Sequence, residues 1–122
     1  MALQGESYSI TRDALFAQQQ EIPAVTDKLT IASGEGKLKR GCLIDEDGKA
    51  CASSGSDENK TYAAPYAVLA EDVDATSAAV EAPVYLTGEF NIKALSAKTG
   101  EDVANYKKAA RKVGIFMKEI ME

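Results

Sequence analysis

The sequence predicts an α+β chain that is mostly β. It reads as a small, compact barrel- or sandwich-like β domain with one C-terminal helix and a flexible N-terminal arm. Three observations carry this reading. Short apolar runs alternate with Gly-, Asp- and Ser-containing turns between Leu29 and Ile92. One stretch, Thr99 to Val113, places apolar residues at helical spacing. Residues 1–28 hold only sparse apolar side chains. The expected organisation is therefore an arm over 1–28 and a β-rich domain over 29–122.

In the arm, Gln18-Gln19-Gln20-Glu21-Ile22-Pro23 is polar and then broken by proline. Thr11 is placed to cap a short helix over Arg12–Gln19, which is too short to hold alone. A disordered terminus and an arm that orders on a partner both fit this composition. Leu29-Thr30-Ile31 alternates as a strand, and Ser33-Gly34-Glu35-Gly36 is a turn. Leu38 to Ile44 reads as a second strand, followed by the hairpin turn Asp45-Glu46-Asp47-Gly48. Residues 50–60 read as a polar loop. Tyr66 to Ala70 is a third strand, and residues 71–79 read as a connection with room for a helical turn.

Val80 to Thr87 holds the clearest strand, Pro83 to Thr87. Val84 and Leu86 point to one face, Tyr85 and Thr87 to the other. Gly88 marks a bend or bulge, with Phe90 to Ile92 continuing the strand. Thr99 is the expected helix N-cap, with Asp102 three residues on. Val103, Tyr106, Ala109, Ala110 and Val113 fall on one helical face. Lys107, Lys108, Arg111 and Lys112 suit the C-terminal end of the dipole. Gly114 is a natural C′ residue, and Ile115-Phe116-Met117 reads as an extended return, with a continued helix as the alternative.

The 122 residues suffice for one domain. There are 20 Ala against 8 Leu, 7 Ile, 7 Val and 3 Phe, and no Trp. A chain so short of large apolar side chains buries little per residue, so it is expected to draw stability from partner subunits. The absence of His removes Ser-His-Asp and Cys-His nucleophile systems and every His-ligated metal site. A net charge of −5 argues against a nucleic-acid partner. No apolar run approaches the ~18–20 residues that cross a bilayer, so no membrane partner is expected. Met1 to Ile10 lacks the layout of a signal peptide, and synthesis and retention in a cytosol are expected. Cys42 and Cys51 are expected as free thiols, with a hairpin disulfide as the alternative.

Four local patterns have ordinary explanations. In Asp45-Glu46-Asp47-Gly48 the glycine stands at position 4, whereas a calcium loop needs it at position 6. Gly34-Glu35-Gly36-Lys37 lacks phosphate-loop spacing and reads as a turn. Glu71, Asp72 and Asp74 form an acidic cluster that reads as a solvated loop, with subunit contacts as the next option. Lys37, Lys39 and Arg40 have no interleaved aromatic residues and make no nucleic-acid platform. No cofactor, metal, catalytic residue or small-molecule substrate is expected.

Three segments, in order, carry a resemblance. Leu29-Thr30-Ile31-Ala32-Ser33-Gly34 is followed by Leu38-Lys39-Arg40-Gly41-Cys42-Leu43-Ile44. Ala67-Val68-Leu69-Ala70-Glu71-Asp72-Val73-Asp74-Ala75-Thr76 comes next, then Ala82-Pro83-Val84-Tyr85-Leu86-Thr87-Gly88-Glu89-Phe90-Asn91. Together they resemble the phage head decoration protein family, relatives of the phage lambda capsid-stabilising protein D. Tyr8-Ser9 through Leu15 is similar to that family's N-terminal arm. Ala67 departs from the family's usual glycine, and Cys42 is unusual after Arg40-Gly41.

The resemblance implies a structural, non-enzymatic cement protein. Such a protein is a homotrimer on the outside of the mature head, at three-fold and quasi-three-fold axes, stabilising the shell against the pressure of packaged DNA. Its partner is the major capsid protein, and its place is the outer surface of the virion after synthesis in the host cytoplasm. The implied capsid-binding residues are Tyr8, Ile10, Leu15 and Phe16, acting by strand addition. The expected trimer interface comprises Tyr66, Glu71, Asp72 and Pro83. The alternative is a small β-rich adaptor with a non-capsid partner; an enzyme using Glu71 to Asp74 or a Cys42 thiolate is the third reading.

Overall fold

The computed structural model describes Leu15, Phe16 and residues 24–55 and 58–119. The strands are β1 (Val25–Ile31), β2 (Gly36–Leu38), β3 (Leu43–Ile44), β4 (Ser53–Ser54), β5 (Thr61–Tyr62), β6 (Ala67–Leu69), β7 (Val73–Ala75), β8 (Val80–Asn91) and β9 (Ile115–Lys118). A 3-10 turn, Ile92–Ala94, follows β8, and another, Val103–Tyr106, runs into helix α1 (Lys107–Lys112). The mostly β expectation with a helix near the C-terminus is met. The strands form one five-stranded sheet and two two-stranded ribbons, β2 with β7 and β4 with β5.

Strand β8 organises the sheet. β1 runs antiparallel along Val80 to Thr87, and β6 pairs antiparallel at Val84 and Tyr85. β3 extends the sheet from β6. From Gly88 to Asn91 the partner changes to β9, which runs parallel. Parallel neighbours require a crossover, and the helical segment 103–112 supplies it.

Period-two alternation along β8 divides the interior into two apolar clusters. Val84 joins Ile31, Cys42, Ile44, Leu69 and Ala75, with Leu86 packed against them. Tyr85 packs against the other cluster, where Phe90 meets Leu43, Val68, Tyr106 and Ile115. The expected alternation of Val84 and Leu86 against Tyr85 is thus the device that separates two cores.

Several local expectations are corrected. Leu38 to Ile44 is not one strand. Gly41 takes φ +98° and its N–H donates to Leu69 O, so the chain turns there; β2 pairs with β7 and β3 with β6. The connection 71–79 contains β7, whose partner β2 is distant in sequence. The polar loop 50–60 carries β4, paired with β5 and joined to it by the Ser54 and Thr61 hydroxyls. β1 starts at Val25, four residues before Leu29, because its first residues face solvent and show no apolar alternation. The Arg12–Gln19 helix is contradicted where it is described: Phe16 makes an antiparallel bridge with Phe90. The remainder of that segment lies outside the described residues.

Two turns follow the sequence closely. At the Asp45 to Gly48 hairpin, Asp45 Oδ1 accepts the N–H groups of Asp47 and Lys49 at 2.9 and 3.0 Å, and Gly48 takes φ +83°. Gly114, at φ +88°, follows the helix C-cap, and Ile115 to Lys118 is extended as expected. The helix itself begins later than Thr99 suggests. Thr99 lies in a turn closed by Glu101 N–H donating to Lys98 O, and Asp102 caps instead, its Oδ1 accepting Ala104 N–H at 3.0 Å. Tyr106 and Ala110 are buried, but Val113 is 43% exposed. The tighter 3-10 winding of the first turn rotates the face, and Val113 sits where the helix ends.

Glu101 joins the β4–β5 ribbon to the helical segment. Its Oε2 accepts Ser53 N–H and Oγ–H at 3.1 and 2.9 Å, and its Oε1 accepts Tyr106 Oη–H at 3.0 Å. The Ser53 N–H bond, with help from the two hydroxyls, holds this carboxyl below its ordinary 4.5. A carboxyl lowered on folding adds stability above its unfolded value and loses it as pH falls through the folded value. The stability advantage of wild type over Glu101→Gln should therefore shrink as pH drops below 4.5, read by urea unfolding at a series of pH values. Leu15 is 2% exposed, so Leu15→Ala should cost about 2–5 kcal/mol in the same assay.

Candidate functional site

The site begins with two arm residues seated on the domain. Leu15 lies inside the Phe90 core cluster, and its carbonyl accepts Asn91 N–H at 2.7 Å. Phe16 stacks on Phe90 with ring centroids 5.1 Å apart and meets Tyr85 edge-on at 4.9 Å. Such aromatic pairs add about 0.5–1.5 kcal/mol each beyond their buried area.

Glycines make room for the seat. A side chain at Gly41 would approach Ala94 O within 2.3 Å and Leu15 Cδ1 within 3.3 Å. One at Gly88 would stand 3.0 Å from the Phe90 ring and 3.5 Å from Phe16. Next to Gly88, Glu89 is buried and ion-paired with Lys118, which ties β9 to β8. Asn91 Oδ1 accepts Lys93 N–H at 3.1 Å and so turns the chain out of β8.

Arg40 links the seat to a second region. Its Nη1 donates to Tyr85 Oη at 3.1 Å and to Ala70 O at 2.6 Å. The guanidinium lies 5.5 Å from the Tyr85 ring centroid, and the Arg40 N–H donates to Asp72 Oδ1 at 2.8 Å. Ala70 N–H donates to Pro83 O at 3.0 Å. Arg40 therefore gathers Tyr85 of β8 and the loop residues Ala70 and Asp72, two segments distant from it in the chain.

A model of the Bacteriophage lambda head decoration protein D family matches residues 8–115. The chain belongs to that family. No curated protein and no solved structure matches it. The three segments that carry the family resemblance converge around Arg40 and the arm seat. Arg40 and Gly41 come from the first, Ala70 and Asp72 from the second, and Tyr85 and Gly88 to Asn91 from the third.

The structure sorts the expected site residues of this head decoration protein. Tyr8 and Ile10 lie outside the described residues. Leu15 and Phe16, expected as capsid-binding residues, are seated on their own domain, Leu15 inside the Phe90 cluster and Phe16 against Tyr85 and Phe90. Glu71, Asp72 and Pro83 come together: the first two are exposed, and Pro83 is half-buried and bonded to Ala70. Tyr66 is exposed at the other end of β6, with its N–H on Ile44 O, and is not brought to that group. Sequence reasoning missed Arg40, Tyr85, Glu89 and Asn91 as site residues. The signal available was their place in the family-like segments.

The acidic cluster is spread along a ribbon edge and exposed. Asp74 faces Lys37 across the β2–β7 pair, and Thr76 donates to it through Oγ at 2.5 Å and N–H at 3.1 Å, lowering its carboxyl below the ordinary range. An open groove of about 780 Å³ lies nearby, lined by Glu35, Cys42, Lys93, Glu101 and Asp102 among others. Its three carboxylates serve the fold: Glu35 accepts Ala50 N–H, Glu101 accepts Ser53 and Tyr106, and Asp102 caps the helical turn.

Cys42 and Cys51 are free and buried, in line with the sequence expectation. Their side chains belong to different core clusters. Burial pushes Cys42 up to about 11 and Cys51 up to about 12. Thiolate, the reactive form, is thus scarce at neutral pH. Native protein at pH 8 should react with a disulfide reagent only at the rate of unfolding, and both thiols should react promptly in denaturant.

Proposed function

We propose that this head decoration protein is a homotrimeric cement protein on the outer surface of the mature phage shell. It sits at three-fold and quasi-three-fold axes, touches the major capsid protein, and resists the outward pressure of packaged DNA without a catalytic step. The observation that carries this reading is the span of the family match, which begins at residue 8 and so takes in the arm as well as the domain.

The seat at Leu15 and Phe16 divides the labour along the arm. Tyr8 and Ile10 make the shell contact by strand addition, with alternate side chains entering pockets. Leu15 and Phe16 serve that contact from behind, as the anchor that joins it to the domain. One arm binds weakly because ordering it costs free energy. Three arms on one trimer raise the effective concentration and slow release. Glu71, Asp72 and Pro83 supply one part of the trimer interface and Tyr66 another. Exposed carboxylates and an exposed ring suit a contact whose rim is polar.

The test is co-sedimentation with expanded, undecorated heads of the protein's own phage. Wild type should saturate a fixed number of sites. Tyr8→Ala combined with Ile10→Ala should bind at least tenfold more weakly with unfolding stability unchanged, the equivalent of about 1.4 kcal/mol. Wild-type protein that binds no mature head would leave the adaptor reading in its place.

A further inference from the structure

We infer that Arg40 couples the arm seat to the loop at Glu71 and Asp72, so that seating of the arm sets the position of a trimer contact. The consequence for assembly rests on the trimer reading proposed above; the coupling itself rests on the geometry. Phe16 meets the Tyr85 ring edge-on at 4.9 Å. Tyr85 Oη accepts Arg40 Nη1 at 3.1 Å, and the guanidinium lies over the same ring. The other end of Arg40 is the backbone N–H on Asp72 Oδ1, and Nη1 also holds Ala70 O. The loop is thus gripped at Ala70 and at Asp72 by one residue, and the position of that residue is set by the ring on which Phe16 rests.

Two further contacts reinforce the linkage. Gly41, next to Arg40, has no room for a side chain between Ala94 O and Leu15, so the backbone beside Arg40 also rests on the arm. Pro83 O accepts Ala70 N–H, so Pro83 shares the residue that Arg40 holds. Withdrawal of Phe16 frees the edge of Tyr85. The ring then rests on its tilted contact with Phe90 at 6.0 Å, and Arg40 and its two loop contacts lose part of their common support. Arg40 is a positioning residue: it acts on the interface through Ala70 and Asp72.

The experiment is a double-mutant cycle in the full chain. Phe16→Leu keeps an apolar side chain in the seat and removes the ring. Tyr85→Phe keeps the ring and removes the hydroxyl that Arg40 grips. The first readout is amide hydrogen exchange at Arg40, whose N–H bonds to Asp72, compared with Cys51, whose N–H bonds to Leu43 O in the same core cluster as Leu15. Phe16→Leu should speed exchange at Arg40 by about two- to thirty-fold more than at Cys51, and should add little once Tyr85→Phe is present. Equal acceleration at both amides would overturn the proposal, since that is what general loosening of the core produces. Effects of the two substitutions that simply multiply would overturn it as well.

The second readout is oligomer mass by sedimentation equilibrium. Phe16→Leu should weaken trimer association, and Tyr85→Phe should abolish that sensitivity. A wild type that stays monomeric both free and on heads would overturn the trimer reading and the assembly half of the proposal, while the exchange result separately decides the coupling. A trimer indifferent to Phe16→Leu would overturn the assembly half and leave the trimer reading standing.

Discussion

Most of the described structure depends on the pairing of β8. Its twelve residues take β1 and β6 on either side of the first part and β9 along the last part. Phe16 adds a bridge at Phe90. Both faces are used too, one for each apolar cluster. Gly88, in a conformation that side-chain-bearing residues rarely adopt, stands where the partners change. Burial of Glu89 in this strand would be costly for an isolated charge, and its ion pair with Lys118 offsets that cost while linking β9 to β8.

The scarcity of large apolar residues explains why the arm is part of the fold. The Phe90 cluster is completed by Leu15 from outside the continuous domain, and Phe16 closes it against Tyr85 and Phe90. A boundary drawn at residue 28 by composition would cut away this contribution and four residues of β1. The same economy places the folding anchor a few residues from the segment proposed to meet the shell.

Among the described residues β1 is the outermost strand beside β8, and its exposed residues include Asp27 and Lys28. Charges on an edge strand discourage indiscriminate pairing with other chains. The helical segment and the β4–β5 ribbon are joined through Glu101, and the loop before β7 is held by Arg40. In both places a polar residue ties together segments that are distant in sequence.

The sequence by itself determined the mostly β class, the Asp45–Gly48 hairpin turn, the alternation in β8, the helix ending at Gly114 and the extended return after it. Each depends on neighbours in the chain: turn chemistry, period-two alternation or a glycine after a helix. The family was also legible, because its three segments remain contiguous in sequence. Tertiary structure alone decided the rest. β7 became a strand through β2, and the turn at Gly41 sent β2 and β3 to different partners. Leu15 and Phe16 left the expected helix for a seat on β8, because burying a leucine and pairing two aromatic rings outweighs a helix too short to sustain itself. Beyond its place in a family-like segment, Arg40 carried no signal of its role, since Tyr85, Ala70 and Asp72 lie at least thirty residues away along the chain. Contacts of that range leave no period in the sequence; only folding brings them within hydrogen-bonding distance.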